Sequence, residues 1–538
     1  MQAVITKAQA NQLLADGNVA VRHRAAFEAR YNENLTIDLS ALAEEGVTWL
    51  SENGSDLVRR KVTTYQRLMS NPVAKIGKLE NIPTLMRSVL KDAPNKWFFA
   101  QEDGILVPYF TVSSEYSKGE RDNPAFATLT MVAYSHSGQT SRSFKWSTED
   151  ISGKTIYDLL GEKNLVAEDD ALVKEYRQQV SKYLKLRKLV GVQMLAKGSG
   201  LRMDGTSWEY VREAQLVDGQ STKIVLDEET PELKENRKRG STSKSESVAM
   251  KFWSKTTDDE VEEVPYEVPT HPFLYVFSLR THRWLEMHVD NLTDYRWSDD
   301  INDKLVLPPA NKRLIRLLIE NTGNNMADII AGKSGGVIVL ASGPPGVGKT
   351  LTAEVTSELL HKPLYSVQCS QLGTKEELIE ERLGKVLARA SRWGAVMLID
   401  ESDVYVRTRG EDIQQNAIVG VFLRTLEYYN GFLFLTTNRA TTVDDAILSR
   451  LTAHVRYRLP NIEDRRTILK VQAEALGVEL SREVIDHAVN LPLSGRDIRS
   501  VLKLARLVGK SENRPLDVDL LKFCLEYQDV TESSEENV

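Results

Sequence analysis

One segment governs what this chain can fold into. Gly343-Pro344-Pro345-Gly346-Val347-Gly348-Lys349-Thr350 fits the phosphate-loop template, with its glycines, lysine and hydroxyl residue at the required spacing. The apolar run from Gly336 to Ala341 precedes it and reads as a buried strand, and LTAEVTSELL, opening at Leu351, reads as a helix. Strand, glycine-rich turn and helix in this order place the segment at the edge of a parallel α/β sheet. The backbone N–H groups of such a loop, with the helix N-terminus, hold anionic phosphate oxygens. Gly346 and Gly348 let the backbone approach without a Cβ in the way. Lys349 offers a point charge to the β and γ phosphates, and Thr350 offers its hydroxyl to Mg²⁺. Gly343 to Leu351 is therefore the candidate ATP-binding segment. The alternative, a glycine-rich turn with no ligand, would have to acquire its strand and helix by accident.

The rest of the machinery is expected downstream. In AVMLIDESD a strand predicted from Val396 to Ile399 ends in Asp400 and Glu401. Two acids at the end of a buried strand are costly unless they work at its C-terminal edge, where ligands of open α/β sheets bind. Asp400 is the candidate Mg²⁺ ligand beside Thr350, and Glu401 the candidate base that polarises the attacking water. Solvated acids capping an ordinary strand are the bland alternative. A strand at Phe432 to Leu435 runs into TTNR, with Asn438 at its tip to hold the lytic water or sense the γ-phosphate. Arg450 follows a short helix and precedes a strand predicted at Val455 to Leu459. From there it can reach a neighbouring subunit's nucleotide, or simply pair with Asp444 or Asp445. Arg496, in LSGRDIRSVLKLARL, can contact the γ-phosphate from a helical lid, or line a polar face with Arg499.

Taken in order, these strings resemble the ATPase core and lid of the AAA family, within the AAA+ superfamily. The likeness runs from about Phe273 to Gln528, just under half of the chain, and includes LEYYNGFLFLTTNR. HPFLYVFSLRTHRWLEMHVDNLTDYRW, GPPGVGKTLTAEVTSELLHKPLYS and SRWGAVMLIDESDVYV are similar to a group common in fungi, where one ATPase core follows a long N-terminal region. The resemblance implies Mg²⁺-dependent ATP hydrolysis, a homo-oligomeric ring, most simply a hexamer, and Arg450 as the finger served to the next subunit. Two departures stand out. SVQCSQLGTKEELIEERLGKVL has Leu372-Gly373 but lacks the aromatic with which many relatives grip a threaded polypeptide. Ser449-Arg450-Leu451 carries one finger arginine where relatives usually have two.

Composition narrows the partners. The formal charge of -7 over 538 residues argues against a general nucleic-acid binder, leaving only local basic patches. Two cysteines, Cys369 and Cys524, make neither a disulfide framework nor a zinc set and fit a reducing compartment. The N-terminus lacks the basic-then-apolar pattern of a signal peptide, and no apolar run reaches spanning length, so a cytoplasmic protein without membrane contact is expected.

Along the chain, residues 1–95 are expected to be mainly helical. Residues 96–270 read as an α+β partner-recognition domain, with strands in KWFFAQEDGILVPYFTVS and FATLTMVAYS, a helix through DALVKEYRQQVSKYLKLRKLVGVQML, and a hairpin or two in TSWEYVREAQLVDGQSTKIVLDEE. Within it, 232–265 is a charged insertion, basic from Lys234 to Lys244 and then acidic. It is either a solvated loop or a basic hook, with Trp208, Trp253 and Tyr266 near enough to stack on bases. Residues 271–460 alternate strands (Val337–Ala341, Leu364–Gln368 and the three above) with helices (Lys349–Leu360, Lys375–Arg392, Gln414–Tyr429), which implies a five-stranded parallel sheet covered on both faces. Residues 461–538 give a helical lid and an acidic tail. The function expected is an ATP-driven ring that remodels a protein or complex chosen by the N-terminal half. The alternatives are a nucleic-acid-directed ATPase and a nucleotide-gated assembly or sensor, which the missing pore aromatic favours.

Overall fold

The computed structural model describes residues 2–19, 34–54, 58–59, 62, 65–66, 75–102, 105–119, 124–135, 138–197, 201–202, 221–228, 251–253, 267–298, 301, 305–320, 336–373, 376–409, 413–439 and 443–527. Five strands of the second half pair side by side in the order Leu364–Gln368, Val396–Asp400, Phe432–Thr437, Val337–Ser342, Ala453–Arg456. Every pairing is parallel. A parallel sheet is covered on both faces, so its strands are apolar at nearly every position. Alternate residues therefore serve two cores. Ile338, Leu340, Met397, Leu433 and Leu435 enter one, while Val339, Ala341, Leu398, Phe434 and Val455 enter the other. The first strand in the chain lies inside the sheet, and the loop that follows it opens at the carboxyl edge, where such sheets bind ligands.

Three expectations shift. The last strand is Ala453–Arg456, not Val455–Leu459. Its register places Ser342 opposite Arg456, and past that point Tyr457 is drawn onto Ser342 by a 2.7 Å N–H···O bond as the first strand ends. The helix expected at Gln414–Tyr429 is Ile413–Leu426, because Tyr428 and Tyr429 close a turn on Thr425 and Leu426. The long helix of the N-terminal half, Asp170–Leu186, stops before LVGVQML, which forms the strand Val190–Ala196 instead. Gly191 marks the switch. Its φ is 76°, and a Cβ there would lie 2.5 Å from the Trp393 carbonyl oxygen.

Four helices, Ile462–Leu476, Arg482–Val489, Gly495–Glu512 and Val518–Glu526, close the described chain around an apolar core of their own. Each starts on a side-chain cap: Asn461, Ser481, Ser494 and Asp517.

In the N-terminal half, the strands Gln2–Thr6 and Asn34–Asp38 pair antiparallel, a ribbon added to the helices expected in residues 1–95. Trp97–Glu102, Ile105–Ser117, Phe126–Ser135, Gly138–Trp146 and Leu165–Ala167 form an antiparallel sheet, joined by Lys251–Trp253 from within the charged insertion. The remainder of 232–265, including Lys234 to Lys244, lies outside the described residues, as do Trp208, Tyr266 and residues 528–538. A six-stranded sheet combines Val190–Ala196 and Thr222–Asp227 with Phe273–Ser278, Arg283–His288, Leu292–Asp294 and Leu201–Arg202. The division drawn at 270/271 therefore runs through a single sheet. One face of this sheet has its own core. On the other, Val225, Tyr275, Phe277 and Trp284 share the core of the parallel sheet. The Phe277 ring sits 5.0 Å from Trp393 and 5.6 Å from Tyr365, centre to centre. Asp227, fully buried, receives Arg392 Nε at 2.8 Å, Arg392 Nη2 at 2.9 Å and Trp393 Nε1 at 2.9 Å. No helix among the described residues is long and apolar enough to cross a membrane.

Candidate functional site

The glycines of the phosphate loop have different tasks. Gly343, Gly346 and Gly348 all hold positive φ (148°, 78° and 97°) that a side chain would strain. A Cβ on Gly343 would meet the Tyr457 carbonyl oxygen at 2.4 Å, and one on Gly346 would meet Ser494 Oγ at 2.5 Å. Gly348 has open space around it and serves as the left-handed N-cap of helix Lys349–Leu359. The loop thus rests on the last helical unit through Gly346, whose carbonyl accepts the Arg496 N–H at 3.3 Å. Pro344 and Val347 are half-buried, and Pro345 and Leu351 exposed, along the same turn.

Lys349 is buried, and its ammonium donates to the carbonyls of Gly343 (2.7 Å) and Pro344 (2.6 Å) and to Asn438 Oδ1 (2.9 Å). Burial holds its pKa below the usual lysine range, and the Arg496 charge adds to that, against the pull of Asp400 and Asp403. Loop lysine and strand-tip asparagine, 89 positions apart in sequence, are thus in direct contact. Thr350 Oγ1 lies 3.3 Å from both carboxylate oxygens of Asp400. Hydroxyl and carboxylate form an oxygen-only pair, the donor set that suits a hard cation such as Mg²⁺.

The two acids are held by the neighbouring strand. The Thr436 hydroxyl donates to Asp400 Oδ1 and accepts the Glu401 N–H at 3.0 Å. Ser402 is tied to the Thr436 carbonyl through N–H (2.8 Å) and Oγ (2.7 Å). Glu401 takes a φ of 54°, left-handed for a residue with a side chain, so the chain turns sharply and leaves this carboxylate exposed at the sheet edge. Asp403 accepts from the Thr437 hydroxyl and from Asn438 N–H (3.1 Å), which fixes the asparagine-bearing tip. Thr436, Thr437 and Asp403 are the positions the motifs did not reveal. Their signal was a Thr-Thr pair ending an otherwise apolar strand, facing a third acid in DESD. Cys369 packs nearby. Burial, followed by the charges of Asp403, Glu401 and Asp400, pushes its thiol up to about 12, so it stays protonated and inert.

Arg450 is not gathered into this cluster. Its Nη1 donates to the Ala446 carbonyl at 3.0 Å, and its Nη2 lies 3.8 Å from Glu427. The pairing with Asp444 or Asp445 does not form, because Asp444 caps helix Asp445–Leu448 and binds Arg409 Nε at 3.0 Å. Burial works against the Asp444 charge, but Arg409 and the Ala446 N–H hold its carboxyl below the usual range. Arg496 comes to the loop, as described, while Leu372 of the Leu-Gly pair is buried in the core.

Comparison with known proteins agrees with this arrangement. The profile of the ATPase family associated with various cellular activities (AAA) matches residues 339–459. Residues 339–459 are an AAA ATPase domain. The chain is 32% identical over 188 residues to the mitochondrial sorting homolog of Caenorhabditis elegans, across 31% of this chain and 52% of the relative. It is 30% identical over 192 residues to the ATP-dependent zinc metalloprotease FtsH of Mycoplasma genitalium, across 33% of this chain and 27% of the relative. The match thus spans from about a quarter to half the length of these relatives, within the ATPase region.

Proposed function

We propose that this AAA protein is an Mg²⁺-dependent ATPase working as a head-to-tail homo-oligomeric ring, most simply a hexamer, that remodels a protein or protein complex selected by its N-terminal half. The convergence of Lys349, Thr350, Asp400, Glu401 and Asn438 at one edge of the parallel sheet carries this reading. ATP phosphates would lie against the N–H groups from Gly343 to Leu351, with Lys349 exchanging its carbonyl partners for phosphate oxygens. Thr350 and Asp400 would hold Mg²⁺, which neutralises phosphate charge when bound. Glu401 would draw a proton toward itself from water, and Asn438 would orient that water. Arg496 would sense the nucleotide from the helical lid. Arg450, at the far end of the core, would serve the next subunit's site, which a ring with heterologous interfaces permits.

The names of the relatives, a protease and a sorting homolog, support a protein rather than a nucleic acid as the object of the work. The charge of -7 points the same way. The described residues offer no helix for crossing a membrane, and two free cysteines suit the cytoplasm. A second reading has an observation of its own. With Leu372 1% exposed and no aromatic beside it, the segment that grips polypeptide in many relatives has nothing to grip with. Nucleotide-timed assembly without threading would need none.

Glu401→Gln separates binding from chemistry. The amide keeps the shape but is a far weaker base, so the variant should bind ATP with near-native affinity and accumulate in the ATP-bound ring. Turnover within tenfold of wild type would assign the base elsewhere.

A further inference from the structure

Helix Lys349–Leu359 begins at the phosphate loop and ends against the N-terminal half. Its next-to-last residue, Glu358, is 5% exposed. Three donors from earlier in the chain converge on this carboxylate: Lys223 Nζ at 3.0 Å, the Tyr295 hydroxyl at 2.5 Å and the Ser298 N–H at 3.3 Å. The Lys223 ammonium also sits 4.5 Å over the Tyr295 ring. Tyr295 packs edge-on against Trp297 at 4.8 Å, and Trp297 stacks on His361 at 5.6 Å, just beyond the helix. The stretch after strand Leu292–Asp294 thus clasps the helix end.

Local helix energetics do not favour an acid at this position. The C-terminal end of a helix carries partial negative charge and prefers a cation. A buried carboxylate is costly unless its oxygens are fully engaged. Here the engagement comes wholly from strand Thr222–Asp227 and the segment 295–298. The second anchor of the same sheet, Asp227, goes to Arg392 and Trp393 on a different helix. One anchor therefore fixes the sheet to the body of the core, and the other ties it to the helix that starts at Lys349, about 14 Å away along a rigid rod at 1.5 Å per residue.

We propose that Glu358 is a positioning residue that couples the six-stranded sheet to the phosphate loop. Nucleotide that settles the loop stiffens the sheet around Lys223, and by reciprocity a partner that stiffens the sheet tightens nucleotide binding. The coupling rests on the ATP-site reading above.

The test is hydrogen exchange of the full chain with and without ADP and Mg²⁺, read at amides 222–227 and 295–298, alongside ADP affinity. Couplings between sites typically amount to about 5- to 150-fold, so nucleotide should slow exchange in wild type by about fivefold or more. Glu358→Gln keeps the shape but turns an NH₂ group toward donors, and should lose that slowing while still binding ADP. Tyr295→Phe keeps the ring edge-on against Trp297, removes one donor, and carries the test should the first variant not fold. Each protein is compared with itself, so a purely structural loss of stability does not mimic the result. Wild type that binds ADP without slowing at these amides, or variants that keep the full slowing, would overturn the coupling alone. Wild type that binds no ADP would overturn the ATP-site reading and the coupling with it.

Discussion

Gly346→Ala should pry the last helical unit off the phosphate loop, and Gly348→Ala should not. Both positions hold left-handed φ, 78° and 97°, so both substitutions incur the left-handed penalty of roughly 1–2 kcal/mol. Only at Gly346 does the new methyl group collide, with Ser494 Oγ at 2.5 Å and Arg496 Cβ at 3.0 Å, whereas Gly348 faces nothing within 4 Å. Ordinary contact starts near 3.4 Å, so the helix start must retreat by about an ångström. Overpacking of this kind costs about 1–3 kcal/mol. At 1.4 kcal/mol per tenfold, the closed contact should weaken by roughly 5- to 150-fold. The Arg496 amide reports this directly. It lies in the first turn of helix Gly495–Glu512, where N–H groups have no partner within the helix, and it donates to the Gly346 carbonyl. Its exchange should accelerate within that range in Gly346→Ala and stay near wild type in Gly348→Ala. Equal acceleration in both variants would show that backbone strain, not the contact, sets the exchange. No acceleration in Gly346→Ala would refute the docking of loop on helix.

Two further outcomes are expected. Lys349→Ala should abolish most nucleotide binding and leave the Gly343 and Pro344 carbonyls and Asn438 Oδ1 without their shared cation, so a titration with fluorescent ATP should show at least a tenfold loss, about 1.4 kcal/mol; near-native affinity would mean that the loop is not the site. Arg450→Ala should bind ATP normally yet lose hydrolysis, and mixing it with Lys349→Ala protein should restore part of the activity in a concentration-dependent way, because each subunit then supplies what the other lacks; rings shown to be mixed that recover nothing would argue for an arginine acting within its own subunit.

Much of the parallel sheet was legible because its code is local. Buried strands show as apolar runs, and the loop motif sits at a fixed point between one strand and one helix. The four caps of the last helical unit are single residues next to the turns they start, yet the motifs did not single them out. What else escaped depends on partners distant in sequence. LVGVQML has the apolar spacing to continue a helix, and pairing with the distant strands Thr222–Asp227 and Leu292–Asp294 makes a strand of it. The hydroxyls of Thr436 and Thr437 could not be matched to Asp400 and Asp403 before the strands were ordered side by side. The bland alternative for Arg450 pairs it with the nearest acids in sequence, whereas the acid it meets in space is Glu427, just past helix Ile413–Leu426. The division at 270/271 follows the start of the family resemblance, near Phe273. The sheet it cuts is held together by pairings such as Val225 with Phe277, which composition does not encode.

These contacts also determine where movement can occur. Phe277, Trp284, Tyr365 and Trp393 are buried together across the junction of the N-terminal sheet and the ATPase core. Each such side chain contributes about 1.5–3 kcal/mol on burial, before the Asp227 cluster is added. The last helical unit has a core of its own, and it meets the phosphate loop through a 3.3 Å backbone bond and the Ser494–Gly346 packing. A single hydrogen bond has a net worth of about 1 kcal/mol. Under the proposed function, a nucleotide-driven change of angle would therefore yield first between the loop and the last helical unit, and the N-terminal sheet would move with the core as one body. A partner held by the N-terminal half would be carried by that body, and in the proposed ring what would shift against it is the helical unit and any neighbouring subunit that unit met.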